Sequence, residues 1–147
     1  IKLLTDSKIK IHKISNFYET PSYPNKLLPP FLNVGVLGSC KCDVEILMDK
    51  INLIEKKIGR VRLKKNDPRV CDIDIIDFNG LIISQKNLKI PHKKSHIRNF
   101  VLYPILEIDP EWVHPVFKKN VNFLINNLDT NFRIEITRLN KNVINKR

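Results

Sequence analysis

Apolar residues recur along this chain with two different periods, and the changes from one to the other mark its elements. From Lys8 to Ile14 basic and apolar residues alternate, K-I-K-I-H-K-I, the period-two pattern of a half-buried strand. Ile9, Ile11 and Ile14 fall on its core face, the last after a small irregularity. Pro21, Pro24, Pro29 and Pro30 exclude a helix interior, so 21–30 predicts an ordered surface loop. Phe31 to Leu37 then predicts a strand ending at Gly38. After Asp43, a suitable N-cap, Leu47, Ile51, Ile54 and Ile58 recur at spacings of three and four, and Gly59 supplies a stop. Arg60 to Pro68 predicts a basic loop, Cys71 to Phe78 a strand, Asn79-Gly80 a turn, and Leu81 to Ser84 a short returning strand. Asn120 to Leu128 predicts a second, shorter helix, and the tail from Lys141 is expected to fray. With no internal repeat and no linker, strands mixed with few helices favour an α+β fold built on an antiparallel sheet.

Composition narrows the class without changing that picture. A chain of 147 residues, 42% hydrophobic and 28% charged, suits a single domain over 1–147 with a real core, since a chain of this size buries roughly 70% of its unfolded surface. No run approaches a membrane span or a signal peptide, so the expected setting is soluble and cytoplasmic. Cys40, Cys42 and Cys71 lack zinc-site spacing and are expected to be reduced, small apolar residues. The net charge of +11 attracts anions, which leaves nucleic acid, acidic membranes and phosphorylated small molecules as candidate partners, or nothing beyond a lysine-rich solvated surface.

The segment C-D-I-D-I-I-D carries the sharpest chemical signal. On a strand, residues two apart share a face, so Asp72 and Asp74 point one way while Ile73 and Ile75 point the other. Their Cα atoms would lie about 6.6 Å apart, where two unpaired carboxylates repel. A hard cation resolves that conflict, and Mg²⁺ characteristically takes one or two carboxylates and completes its shell with water and substrate phosphates. A bare D-x-D is more often an exposed polar strand face. Here Arg60, Arg62 and Arg69 lie just upstream and His92 and Arg98 just downstream, a cationic set suited to a polyphosphate. Asp77 falls on the opposite face and is read as structural.

These residues belong to an ordered series of motifs: S-N-F-Y-E-T-P at Ser15 to Pro21, F-L-N at Phe31 to Asn33, I-E-K-K-I-G-R-V-R at Ile54 to Arg62 and P-R-V-C-D-I-D-I-I at Pro68 to Ile76. It continues with I-P-H at Ile90 to His92, R-N-F-V-L-Y-P-I-L-E-I at Arg98 to Ile108 and W-V-H-P at Trp112 to Pro115. The series resembles the 6-hydroxymethyl-7,8-dihydropterin pyrophosphokinase family, folate-pathway enzymes that move a pyrophosphoryl group from ATP to a pterin alcohol. The resemblance implies a ferredoxin-like sheet with helices packed on it, and a reaction in which the pterin hydroxyl attacks the β-phosphorus of ATP and AMP leaves. It implies two Mg²⁺ ions held at Asp72 and Asp74, and phosphate contacts from Arg62, Arg69, His92 and Arg98. Arg60 supports these, and Arg60 and Arg69 count with the two aspartates as catalytic positions. Glu55, Ile75 and the backbone around Leu88 should lie near the nucleotide. Thr20, Pro21, Phe31, Asn33 and Phe100 match the pterin site, where an amide can meet a heterocycle edge and aromatic rings its faces. Trp112 and His114 match as well and are read as structural.

The chain departs from the family at its start, where the family has a first strand, a Gly-Ser-Asn loop and a helix, while this sequence begins at Ile1 without Met. The expectation is a fragment that lacks a central strand and keeps only the end of that helix at Ile1 to Leu4, with its activity in question. Other departures are Asn66 and Asp67 before Pro68-Arg69, beside Lys64 and Lys65, and Lys93 at a position often aromatic. Two other readings compete: a basic ferredoxin-like module binding nucleic acid, against which no K/R-G-F-G-F-like motif is present, and another D-x-D transferase using a nucleotide-linked donor. As the resembled enzyme, the protein is expected to act as a monomer on small molecules, with no nucleic-acid or membrane partner.

Overall fold

The computed structural model describes residues 1–22, 25–59, 71–85 and 88–140. Two long stretches of chain, each broken once, form a bent antiparallel ribbon. The first comprises β1 (Lys10–Ile14) and β2 (Phe17–Thr20), the second β3 (Phe31–Asn33) and β4 (Val36–Ser39). β1 pairs with β4 and β2 with β3, in registers such as Ile14↔Val36 and Tyr18↔Asn33. The irregularity expected in the first strand falls between Ile11 and Lys13, where the register shifts. The single strand predicted over Phe31–Leu37 is instead two, in different sheets, and the second runs on to Ser39. The break is held rather than loose: Ser15 N donates to Gly35 O at 3.0 Å, and Gly35 N donates to Ser15 Oγ at 2.9 Å.

A short α1 (Lys2–Asp6) precedes the ribbon and packs on β1 and on α2. Helix α2 (Val44–Lys57) begins after Asp43 and ends at Ile58, with Gly59 at φ 99° where a residue without Cβ is favoured. Its predicted apolar positions face inward, Ile51 and Ile54 fully so. The Asn79-Gly80 turn is present, closed by Leu81 N donating to Phe78 O at 3.0 Å, but the strands expected to flank it do not pair. Cys71–Phe78 forms no ladder among the described residues, and the returning segment contributes β5 (Ile83–Ser84), which pairs with β6 (Lys89–Ile90).

Helix α3 (Asn99–Ile108), which the apolar pattern did not announce, follows a 3-10 turn at Ser95–Ile97 and packs against β2 and β3. Helix α4 (Val121–Asn126) starts where expected, its Asn120 cap accepting from Phe123 N at 2.8 Å. α5 (Thr130–Ile134) and β7 (Thr137–Leu139) are the last elements among the described residues, β7 pairing with β2 on the side opposite β3. The tail from Lys141 lies outside the described residues. One core cluster joins Leu102 of α3 and Trp112 to Val121, Leu124 and Ile125 of α4. A second joins Val44 of α2 to Leu88 and Ile90, with Ile75 and Phe78 packed against it. The fold is α+β: antiparallel sheets with helices packed on them.

Candidate active site

The segment carrying the two aspartates runs between the two cores. Ile75 packs on the Val44–Leu88–Ile90 cluster and Ile76 on the Leu102–Trp112 cluster, while Asp72 and Asp74 are exposed. The alternation predicted for a strand is therefore kept from Cys71 to Ile75, with no ladder among the described residues. Part of what replaces the ladder is a side chain. Glu55, 3% exposed in α2, accepts the Ile73 N–H at 2.8 Å, at the peptide midway between the two aspartates. A buried carboxylate receiving a backbone N–H is a charge-assisted bond, stronger than a neutral one. Further along, Asp77 accepts from Trp112 Nε1 at 2.7 Å and from Gly80 N at 2.8 Å, which anchors the end of the segment to the second core.

On the other side of the pair stands His92. Burial depresses its pKa, the Arg98 guanidinium depresses it further, and Asp74 opposes both. Lys94 N donates to His92 Nδ1 at 3.3 Å, so in the neutral ring the proton sits on Nε2. His92 thus offers one N–H donor, and Arg98 supplies the charge. Arg98 is also the residue that opens α3, and its guanidinium lies over the Phe100 ring, 5.4 Å from the centroid. Leu88 is buried in the cluster that Ile75 packs against. Arg60, Arg62 and Arg69 lie outside the described residues.

The second group of predicted residues sits on the ribbon. Thr20 and Phe31 face each other across β2 and β3, and Asn33 pairs with Tyr18. Asn33 Nδ2 donates to Thr20 Oγ1 at 3.1 Å and to Tyr18 O at 3.2 Å, so its amide hydrogens are already used. The amide can therefore offer a ligand its Oδ1 acceptor but not the donor also expected of it. Phe31 is half exposed, and a cavity of about 300 Å³ opens beside Thr20 and Pro21, walled also by Lys26, Leu28 and Ile134. α3 carries Phe100 and packs on β3, which links the two groups of residues. No ring contact joins Phe31 to Phe100 among the described residues.

Sequence reasoning passed over Glu107, a carboxylate inside the apolar run of α3. Its Oε1 accepts from Asn16 N at 2.9 Å and Asn16 Nδ2 at 2.7 Å, its Oε2 accepts from Tyr18 OH at 2.8 Å, and Arg138 Nη2 lies 3.4 Å away. These bonds hold its carboxyl below the usual range against the opposing effect of burial, and burial with the same bond pushes Tyr18 up to about 12. Glu107 so ties the start of β2, and hence Thr20, to α3. A lone charge in an apolar helix was the available signal, because such a group is retained only when paired.

An α+β scaffold that aims two carboxylates, a histidine and an arginine at one place, and an aromatic-flanked amide at another, suits a phosphoryl-group transferase with a flat co-substrate. The family model for 7,8-dihydro-6-hydroxymethylpterin-pyrophosphokinase matches residues 1–110, and the chain belongs to that family. It is 36% identical over 111 residues to the 2-amino-4-hydroxy-6-hydroxymethyldihydropteridine pyrophosphokinase of Aquifex aeolicus, covering 76% of this chain and 69% of that one. It is 33% identical over 121 residues to the protein of the same name from Synechocystis, covering 82% of this chain and 62% of the relative. The folic acid synthesis protein of Dictyostelium discoideum is 42% identical over 118 residues, 80% of this chain but 18% of that longer protein.

Proposed function

We propose that this chain belongs to an enzyme that transfers the pyrophosphoryl group of ATP to the hydroxymethyl oxygen of 6-hydroxymethyl-7,8-dihydropterin, with AMP released, as a step in folate biosynthesis. The observation that carries the reading is the exposed Asp72–Asp74 pair, fastened at its central peptide by Glu55 and faced by His92 and Arg98. Two exposed carboxylates are the donor set that Mg²⁺ uses when phosphates complete its shell. Bound there, two such ions would neutralise phosphate charge as the pterin oxygen approaches the β-phosphorus.

The protein's own part is positioning. Arg62, Arg69 and Arg98 hold the triphosphate, with Arg60 in support, and His92 donates from Nε2 to a phosphate oxygen. Ile75 and the Leu88 backbone border the nucleotide. Asn33 Oδ1 accepts an N–H of the pterin edge, Thr20 holds the Asn33 amide in place, Pro21 closes the strand end, and Phe31 and Phe100 cover the flat ring. The family resemblance and the pairing of Thr20 with Asn33 support this division. In this reading the domain occupies 1–147 and acts as a cytoplasmic monomer on small molecules, without nucleic acid.

The test is an assay with ATP, Mg²⁺ and 6-hydroxymethyl-dihydropterin, followed by chromatography of the nucleotide product. AMP is expected, and ADP would sink the reading. Asp72→Ala and Asp74→Ala should each abolish turnover while the far-UV CD spectrum stays unchanged. Near-normal turnover in either variant would reject the metal assignment.

A further inference from the structure

The bend between β4 and α2 holds a pair of nucleophiles that the proposed reaction does not use. The chain turns through Lys41 and Cys42, and the Cys42 thiol donates to Cys40 Sγ across 2.9 Å. The Cys40 thiol is directed at the Cys42 carbonyl oxygen, 3.6 Å away. Both residues are partly exposed. Cα atoms two residues apart cannot exceed roughly 7 Å, and a bend brings them inside the range of about 4.4–6.8 Å that disulfides bridge. Cys71 differs, its thiol directed at the carbonyl of the adjacent Asp72 at 3.8 Å. No third metal-ligating side chain joins the Cys40–Cys42 pair among the described residues, which disfavours a closed zinc site.

We propose that Cys40 and Cys42 are a dithiol modification site that closes to an internal disulfide by exchange with a small-molecule disulfide such as oxidised glutathione. The hydrogen bond sets the order of events. Cys42 aims its S–H at Cys40, which leaves the Cys40 sulfur as the acceptor of that bond, and the bond and burial both push the Cys42 thiol up with only the Lys50 ammonium opposing them, so Cys40 is the first to attack. The Cys40 thiolate attacks one sulfur of the reagent, the reagent's S–S bond breaks, and one glutathione leaves as a thiolate. Cys42 then gives up its proton and attacks the Cys40 sulfur of the mixed disulfide, and the second glutathione leaves. Two electrons pass to the reagent, and the two protons lost from the protein thiols are taken up by the departing glutathiones.

The experiment treats the full chain with oxidised glutathione in mildly alkaline buffer, alkylates the remaining thiols and reads masses. Trypsin cuts after Lys26, Lys41 and Lys50, so the 27–41 and 42–50 peptides should stay joined until a reductant separates them, with Cys71 alkylated. Cys42→Ser should accumulate glutathione on Cys40, and Cys40→Ser should be modified at Cys42 more slowly. Separate glutathione adducts on both cysteines with no joined peptides, or a bond to Cys71, would overturn the proposal. Equal rates in the two variants would overturn the assignment of Cys40 as the attacking sulfur.

Discussion

Glu55 shows how one buried side chain can set the geometry of a neighbouring segment. It reaches from α2 to the Ile73 N–H, and so restrains the peptide from which Asp72 and Asp74 project. Glu55→Ala should leave that N–H without its acceptor, at a cost of about 1–3 kcal/mol, and should loosen the carboxylate pair enough to lower turnover about tenfold or more. Glu55→Gln keeps an acceptor oxygen and should recover most of the stability and part of the rate. Urea unfolding and AMP release, measured on both variants, check this; an alanine variant as active as the parent would remove Glu55 from its positioning role. The shared exposure of Asp72 and Asp74 was legible in the sequence because residues two apart in an alternating segment fall on one face. The hold of Glu55 on Ile73 was not legible, because its partner is a backbone group, and backbone groups leave no mark in a side-chain pattern. Asn33 is similar: its residue type suggested both donor and acceptor, but its hydrogens go to Thr20 and Tyr18 within the ribbon.

Among the elements, the critical approach is that of the ribbon's break to α3. A Cβ added at Gly35 would lie 2.8 Å from the Pro104 Cβ and 3.2 Å from the Ile108 Cδ1, too close for the helix to stay where it is. Gly35→Ala should therefore cost about 1–3 kcal/mol through overpacking, read as a lower urea midpoint. Because α3 also carries Phe100 and is opened by Arg98, turnover should fall with it. A midpoint equal to the parent's would show that the helix gives way freely. This helix escaped the sequence pattern for two reasons: Pro104 sits inside it, and its run from Phe100 to Ile108 is almost wholly apolar, so no polar face reveals the helical period. α2 was legible because its apolar positions keep helical spacing between Asp43 and Gly59. The 71–78 sequence has the alternation of a strand and so predicts one, although among the described residues the Glu55 carboxylate, the Trp112–Asp77 bond and two apolar clusters hold it. β7 and α5 are short and lie in a polar, asparagine-rich stretch where neither period can build up.

For the molecule as a whole, two packed histidines add to His92 in setting how stability should depend on pH. His114 is 1% exposed, its Nδ1 accepts from Val116 N at 3.1 Å, and its Nε2 faces Ser95 Oγ at 3.2 Å. A proton added at Nδ1 would meet a donor rather than an acceptor. His96 packs on Phe117 at 4.2 Å and edge-on to His114 at 5.9 Å, and its Nδ1 is buried with no hydrogen-bond partner among the described residues. Burial depresses the pKa of both; His96 depresses His114 further, and Asp77 only partly offsets this. The folded state thus prefers both rings neutral, while the unfolded chain takes up protons near the ordinary histidine value of about 6.5. Their contribution to stability is complete above that value and is lost as pH falls through the depressed folded-state pKa values, with a slope of at most about 1.4 kcal/mol per pH unit for each proton bound on unfolding. Glu107 adds a second loss at lower pH, because its carboxyl is also held below its ordinary value and must be protonated as the Tyr18 and Asn16 bonds are given up. The urea midpoint should accordingly stay level above neutrality and fall on acidification, before the carboxylates titrate. His96→Phe, which removes one of the two imidazoles and keeps the aromatic packing on Phe117, should flatten the first part of that fall. If the slope survives that substitution undiminished, the proton uptake belongs to other groups and the aromatic cluster serves packing alone.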